Sequence, residues 1–250
     1  MFYSKKLKKI KALKHCFFSR KNGFSKGLYR SLNCGRGSLD DNKNLQKNLN
    51  FVAKKMGVKK NKLILMHQTH SNKVVEISKK NLNKIIKADA IITKMRGVAL
   101  GVVTADCAPI ILCDINNQIV GCIHAGWRGA YSDIIKNTII KIKKINPNAL
   151  IYACIGPCIN KKNYEVDLTF YKKFIKKSKS FRKYFSKKNN QKKNFNLREY
   201  VADKLKEFKI KIDHIDKDTY SEESNFFSYR RARKLEEKDY GRCISAISMP

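Results

Sequence analysis

Apolar residues fall along this chain in short, β-branched runs bounded by turn residues. KLILM before His67, KVVEI after Asn72, VALGVVT at 98–104, PIILC at 109–113, IVGCI at 119–123 and ALIYACI at 149–155 are the clearest. They run apolar throughout instead of alternating with polar residues, which predicts strands buried on both faces. Other segments carry the helical period instead. DDNKNLQKNLNFVAKKMG places Leu45, Leu49, Val52 and Met56 at three- and four-residue steps, with Gly57 as a stop. A helix is predicted from about Ala130 to Ile145, with Ile134, Ile135, Ile139, Ile142 and Ile145 on one stripe. In NLREYVADKLKEF the apolar face is Leu197, Val201, Leu205 and Phe208, and Asn196 and Glu199 have capping-box spacing. This order predicts an α+β fold of layered mixed β-sheets with flanking helices. Nothing repeats, and no Pro-, Gly- or Ser-rich linker divides the chain, so residues 1–250 read as one domain.

Charge complicates this picture. The formal net charge is +35, which suits either attraction to polyanions or a lysine-rich background that fills exposed positions indiscriminately. Lysine occurs in nearly every segment, which favours the background. The exception is residues 171–193, YKKFIKKSKSFRKYFSKKNNQKK, where basic residues interleave with Tyr171, Phe174, Phe181, Tyr184 and Phe185. That run reads as an amphipathic helix with a solvated basic face and a frayed end, or as a platform for bases or an anionic membrane surface. The amino-terminal stretch MFYSKKLKKIKALKHCFF lacks the uninterrupted apolar core of a secretory signal, so the expected location is cytoplasmic and the eight cysteines are expected to be reduced. Cys113, Cys122 and Cys154 sit in apolar runs and read as buried hydrophobes. No CxxC pair occurs and no apolar stretch is long enough to span a bilayer.

The candidate chemistry gathers where strands end. His70 closes HQTH after KLILM, His124 closes IVGCIH before AGWRG, and Cys107 stands at a third such edge in VVTADC. Two imidazoles and a thiolate suit a soft-to-borderline metal and leave a tetrahedral position open, the pattern of a catalytic zinc. Spacing alone does not show that the three meet. In HAGWRGAYSD, Gly126 and Gly129 permit close backbone approach, and Arg128 adds a guanidinium suited to a phosphate or carboxylate. Asp106, beside Cys107, is a candidate general acid or base, or a residue that orients a ligand.

HQTHSNKV, KADAIITKMRGVALGVVTADCAPIILCD, GCIHAGWRGA, IGPCINKKNYEV and TYSEESNFFSYRRA, in that order, strongly resemble the multicopper polyphenol oxidase or laccase-domain family, described as zinc-dependent purine nucleoside enzymes. The resemblance runs from about Phe17 to Ile247. It implies phosphorolysis of adenosine, inosine and methylthioadenosine, with adenosine deamination possible, on a fold distantly similar to a cysteine-dependent deamidase toxin. Carried over by position, the metal ligands fall on His70, Cys107 and His124, with Cys107, Asp106 and His124 as catalytic candidates. The resemblance further implies that Arg20, Asn33 and Gln68 face the pocket and that Tyr229, Arg230 and Arg231 close it, with Arg20, Asn33, Gln68, Arg128 and Arg230 contacting substrate or phosphate. The chain departs from the family pattern at His67, which adds an imidazole beside the site, at Ser71 in place of a common glycine, and after SYRR, where ARKLEEKDYGRC replaces a short polar turn.

Four-copper oxidases need many imidazoles in HxH pairs, and this chain has five histidines and no HxH, so a conventional laccase is excluded. Zinc is the expected cofactor, with copper at the His2Cys site as a lesser one that would give slow phenol oxidation. The expected partners are purine nucleosides and phosphate, with no specific nucleic acid. Two rivals remain: a hydrolase or deamidase with Cys107 as nucleophile and His124 as base, and a non-enzymatic polyanion binder using residues 171–193.

Overall fold

A computed structural model describes residues 1–11, 13–116 and 119–250. Its strands are β1 (Lys14–Phe17), β2 (Leu63–His67), β3 (Val74–Glu76), β4 (Ile86–Lys87), β5 (Ala90–Thr93), β6 (Val98–Thr104), β7 (Ala108–Asp114), β8 (Val120–Ala125), β9 (Ile151–Ile155), β10 (Glu165–Asp167), β11 (Phe185–Lys187), β12 (Lys192–Phe195), β13 (Lys211–His214) and β14 (Cys243–Met249). The helices are α1 (Asn42–Lys55), α2 (Trp127–Tyr131), α3 (Ile134–Ile145), α4 (Leu168–Lys177), α5 (Leu197–Lys206) and α6 (Tyr229–Lys234). Two mixed sheets dominate, one ordered β1-β14-β6-β2-β4 and the other β13-β9-β7-β8-β5-β3, with a small third sheet β10-β12-β11.

The two large sheets face each other, and each carries helices on its other side. Between them lie Leu100, Val102, Ile247 and Met249 from one sheet and Ile91, Ile111, Cys113 and Cys122 from the other. Their neighbours Ile92, Ile110, Leu112 and Ile123 point the opposite way, against Ile134, Ile135, Ile139 and Ile142 of α3 and Val201 and Leu205 of α5. On the far side of the first sheet, α1 packs Leu45, Leu49, Val52 and Ala53 over Leu65, Ala99, Ile244 and Ala246. A strand between two apolar layers must be apolar at every position, which is why the runs do not alternate. All six predicted strands form, and the mixed α+β layering agrees with the expectation. Cys113, Cys122 and Cys154 are buried, and burial pushes the Cys113 thiol up to about 12.

The pattern misled in three places. The single helix expected over 130–145 is two, α2 and α3, because Asp133 takes a left-handed φ of 69° between them. β14, a central strand, escaped notice because Ser245 and Ser248 interrupt its apolar run; the buried Ser248 hydroxyl donates to the Met56 carbonyl at 2.9 Å. The basic run 171–193 is not a long frayed helix: α4 ends at Lys177, a 3-10 turn covers Lys179–Tyr184, and β11 follows. Its aromatic residues turn inward. Phe174, fully buried, meets Phe181 at 6.3 Å, Phe185 at 5.6 Å, Phe195 at 5.0 Å and Tyr200 at 5.4 Å between ring centroids. These rings form a core, not a stacking platform, and several lysines of the run pair with Asp133, Glu165 and Asp203. Among the described residues, no helix is long and apolar enough to cross a membrane.

The predicted cap of α5 forms, with one change of partner. Asn196 Oδ1 accepts the Glu199 amide at 3.2 Å and its Nδ2 donates to the Glu199 carboxylate at 2.7 Å. The Asn196 amide itself goes to the Tyr184 carbonyl at 2.8 Å, tying the helix start to the aromatic core. Asn196→Ala is expected to cost about 1 kcal/mol in urea denaturation; an unchanged midpoint would show the cap to be dispensable.

Candidate metal centre

Two chain crossings and one strand end build the site. The link from β2 to β3 passes from one large sheet to the other and carries His70; the link from β6 to β7 makes the same passage and carries Cys107. His124 lies near the end of β8, where antiparallel pairing sets Pro109 opposite His124 and Ala108 opposite Ala125, so that Cys107 comes level with Gly126. The three side chains converge. Their ligand atoms all lie within 4.8 Å of one another, with Cys107 Sγ 3.9 Å from His70 Nε2 and the two imidazole centroids 4.7 Å apart. His124 is buried, Cys107 half-buried and His70 exposed, so the cluster opens to one side.

The lack of a side chain at Gly126 makes this approach possible. Gly126 has room for nothing more than a hydrogen: a Cβ there would stand 2.8 Å from Cys107 Sγ and 3.0 Å from His70 Cδ2. Its φ of −67° is ordinary for any residue, so the requirement is one of space. Gly126→Ala is expected to weaken metal affinity roughly tenfold while leaving the fold intact; chelator competition would measure the first and circular dichroism the second.

A buried carboxylate organises the cluster. Asp89, fully buried at the head of β5, lies beside His124 because Ala90 pairs with Ile123. Its Oδ1 faces His124 Nδ1 at 2.8 Å and accepts the His70 amide at 2.9 Å; its Oδ2 accepts the Ser71 amide at 2.6 Å, the Ser71 hydroxyl at 2.7 Å and the Thr69 amide at 3.1 Å. One carboxylate thereby orients one imidazole and the loop that carries the other, with His70 itself in a left-handed conformation at φ 58°. Burial alone would raise the Asp89 carboxyl, but the bonds from His124 and Ser71 and the His124 charge hold it well below the usual carboxylate range. Burial likewise opposes the Cys107 thiolate, yet the charge of His124 and bonds from both imidazoles bring the thiol down to about 7. Asp89 was not singled out from the sequence. The available signal was a lone acidic residue heading a β-branched run, in KADAIITK. Ser71, which stands in place of the family's common glycine, adds its hydroxyl to the donors at 2.7 Å.

Two imidazole nitrogens, a sulfur disposed to ionise and a carboxylate behind one imidazole form a donor set suited to Zn²⁺, with space left for a fourth partner. The cluster opens into a cleft of about 1120 Å³, also lined by His67, Gln68, Arg36 and Arg242. A family model described as multi-copper polyphenol oxidoreductase laccase matches residues 14–250. The chain belongs to that family. It is 36% identical over 190 residues to a purine nucleoside phosphorylase of Rickettsia conorii, covering 75% of this chain and 78% of the relative. It is 28% identical over 237 residues to a purine nucleoside phosphorylase of Haemophilus influenzae, covering 93% of each. Among solved structures, Neisseria meningitidis protein NMB0706, of DUF152, superposes with a TM-score of 0.85 at 28% identity, over 95% of this chain and 94% of that one. Bacillus licheniformis YfiH superposes with a TM-score of 0.88 at 24% identity, over 97% and 94%, and shares the fold.

The residues that family resemblance assigned to substrate are dispersed. Gln68 does line the cleft, with its amide bonded to Val103 N and O at 2.9 and 2.8 Å like an added strand residue. Asn33 is fully buried and is not among the residues lining the cleft; it braces the loop after it to Arg242, just before β14. Arg20 stacks on Phe227 at 4.2 Å and lines a separate cavity of about 170 Å³. Arg128 is exposed over the Trp127 ring at 5.3 Å, outside the cleft lining. Arg230 donates to the Glu165 carbonyl at 2.8 Å and Arg231 to the carbonyls of Thr219, Tyr220 and Phe226, while Tyr229 packs on Tyr240 at the rim. Asp106, expected as an acid or base, turns away from the cleft: Thr219 Oγ1, Ser228 Oγ and the Arg230 amide hold its oxygens at 2.7, 2.9 and 2.6 Å. It anchors the carboxyl-terminal segment beneath the site. His67 lines the cleft but stands outside the ligand cluster.

Proposed function

We propose that this protein is a zinc-dependent purine nucleoside phosphorylase. The observation that carries the reading is the His70–Cys107–His124 cluster on the wall of a large cleft, and the names of the curated relatives support it. In the reaction a phosphate oxygen attacks the anomeric carbon of the nucleoside, the N-glycosidic bond breaks, and its electron pair leaves with the purine, which takes up a proton. The transition state has oxocarbenium character at the sugar, so pre-set charge and the exclusion of water are what the protein contributes.

The chain's residues divide that work. His70, Cys107 and His124 would hold the zinc, which when bound supplies a Lewis acid. Asp89 keeps the His124 Nδ1 proton in place and so aims Nε2 at the centre. Leu82 and Ile86 give the cleft an apolar stretch suited to a purine face, and Gln68, pinned to β6, holds the wall next to the metal. The adventitious copper reading and adenosine deamination belong to the same centre as secondary activities.

Purified protein, assayed for metal by mass spectrometry and incubated with adenosine, inosine and methylthioadenosine, tests the proposal. Free base and the matching sugar 1-phosphate in equal amounts, ribose 1-phosphate from adenosine and inosine and 5-methylthioribose 1-phosphate from methylthioadenosine, are expected only with phosphate; ammonia release from adenosine reads out deamination in the same reaction. Metal-free protein with an alkylatable Cys107 and no base release would overturn the phosphorylase and point to the thiol as nucleophile.

A further inference from the structure

The cleft that holds the metal cluster is also lined by Arg36, Lys60, Lys84 and Arg242, and no Asp or Glu is among its described lining residues. The two arginines come from loops about two hundred residues apart and are sewn together by Asn33. Its Oδ1 accepts both the Gly35 amide at 3.0 Å and the Arg242 amide at 2.9 Å, and the Cys34 amide donates to the Arg242 carbonyl at 3.0 Å. The Arg242 side chain lies across Gly35, where a Cβ would stand 2.7 Å from Arg242 Cδ and 3.1 Å from Nη1. Its guanidinium stacks on Tyr240 at 4.3 Å and donates to the Tyr240 carbonyl at 3.1 Å. Arg36, the residue after that glycine, is exposed on the cleft wall and makes no hydrogen bond, ion pair or ring contact among the described residues. The neighbouring carboxylates are hydrogen-bonded elsewhere, Asp40 by Ser25 and Asn33 and Asp239 by Tyr29 and Leu39, although the charge of Arg242 still reaches Asp239.

A guanidinium fixed by stacking and a second with no partner among the described residues line one cleft whose described lining holds no carboxylate, a setting suited to an anion. We propose that Arg36 and Arg242 bind a phosphoryl dianion in the cleft, with Asn33 as the positioning residue that holds the two loops together. Planar N–H forks match phosphate oxygens in pairs, and two further lysines in the same cleft favour a doubly charged anion over a single carboxylate. This deepens the phosphorylase reading and rests on it only for the role of the anion: inorganic phosphate as co-substrate, or the 5′-phosphate of a purine nucleotide taken as substrate.

Calorimetric titration of metal-loaded full-length protein with inorganic phosphate, adenosine 5′-monophosphate and adenosine, in chloride buffer and without turnover, separates these sources. Arg36→Ala and Arg242→Gln are expected to weaken phosphate or the monophosphate roughly ten- to a hundredfold, with adenosine changed less than about twofold. Weakened inorganic phosphate identifies the co-substrate; weakening confined to the monophosphate identifies a nucleotide substrate. Wild-type protein that binds neither anion, or Arg36→Ala protein that binds both as wild type does, would overturn the site. Base release that still requires phosphate in an unimpaired Arg36→Ala variant would overturn this site and leave the phosphorylase reading standing. Arginine-dependent phosphate binding without base release would do the reverse.

Discussion

Cys107→Ala is expected to empty the metal centre and abolish turnover together. The substitution removes the sulfur that faces His70 Nε2 at 3.9 Å and leaves two imidazoles, one of them exposed, to hold an ion by themselves. Metal content should fall from about one zinc per chain to below about a tenth, and phosphate-dependent base release by on the order of a thousandfold. The fold should survive, because Cys107 is half-buried on the cleft wall and alanine fits within its volume. Elemental analysis beside the activity assay and a thermal melt in chelator would decide it. A variant that keeps its full complement of metal would show that the three side chains do not share an ion.

A different failure is expected of Asp89→Asn, which preserves shape and removes an acceptor. The native carboxylate takes bonds from the His124 ring, from the amides of Thr69, His70 and Ser71, and from the Ser71 hydroxyl, all in a fully buried position. An amide turns an N–H group toward at least one of these donors. Losing a buried, multiply bonded charge costs about 3 kcal/mol or more, and metal affinity should fall roughly ten- to a hundredfold as His124 loses its orienting partner.

Acid titration gives that prediction a second readout. The folded Asp89 carboxyl lies below its ordinary range, so its contribution to stability is complete above the unfolded value, about 4, and fades as the pH falls from there toward the folded value. Wild-type stability should therefore decline below about pH 4 more steeply than that of Asp89→Asn. Parallel declines would mean that Asp89 is not the linked group.

How much of the site was legible depended on how local each signal was. His70, Cys107 and His124 stand within a few residues of the ends of apolar runs, and a chemically distinctive residue near a strand end is visible without knowing what it faces. Asp89 is also at a strand end, yet an Asp before a strand is ordinary, and only the pairing of β5 with β8 brings it to His124. Asp106 is the converse case. Its place beside Cys107 suggested chemistry, whereas Asp106 takes a left-handed φ of 83° in the link between β6 and β7 and faces the carboxyl-terminal segment instead of the cleft. The aromatic residues of 171–193 carried no mark of which way they turned, because interleaved lysine and phenylalanine suits a basic platform and a covered core equally well.

Arg36 and Arg242 went unnoticed for a related reason. In a chain with 55 lysines and arginines, a basic residue in a loop carries almost no information, and these two acquire meaning only from a shared asparagine and a common cleft.

By itself the sequence determined the class of fold and the kind of donor atoms: apolar runs and helical stripes are short-range consequences of burying one or two faces, and imidazole and thiol are what they are wherever they lie. Tertiary structure alone decided that two sheet-to-sheet crossings deliver His70 and Cys107 to His124, that Asp89 stands behind them and Asp106 does not, and that two remote arginines share the cleft. The physical reason is that convergence depends on strand register and on the facing of two sheets, and these are set by contacts between residues far apart in the chain.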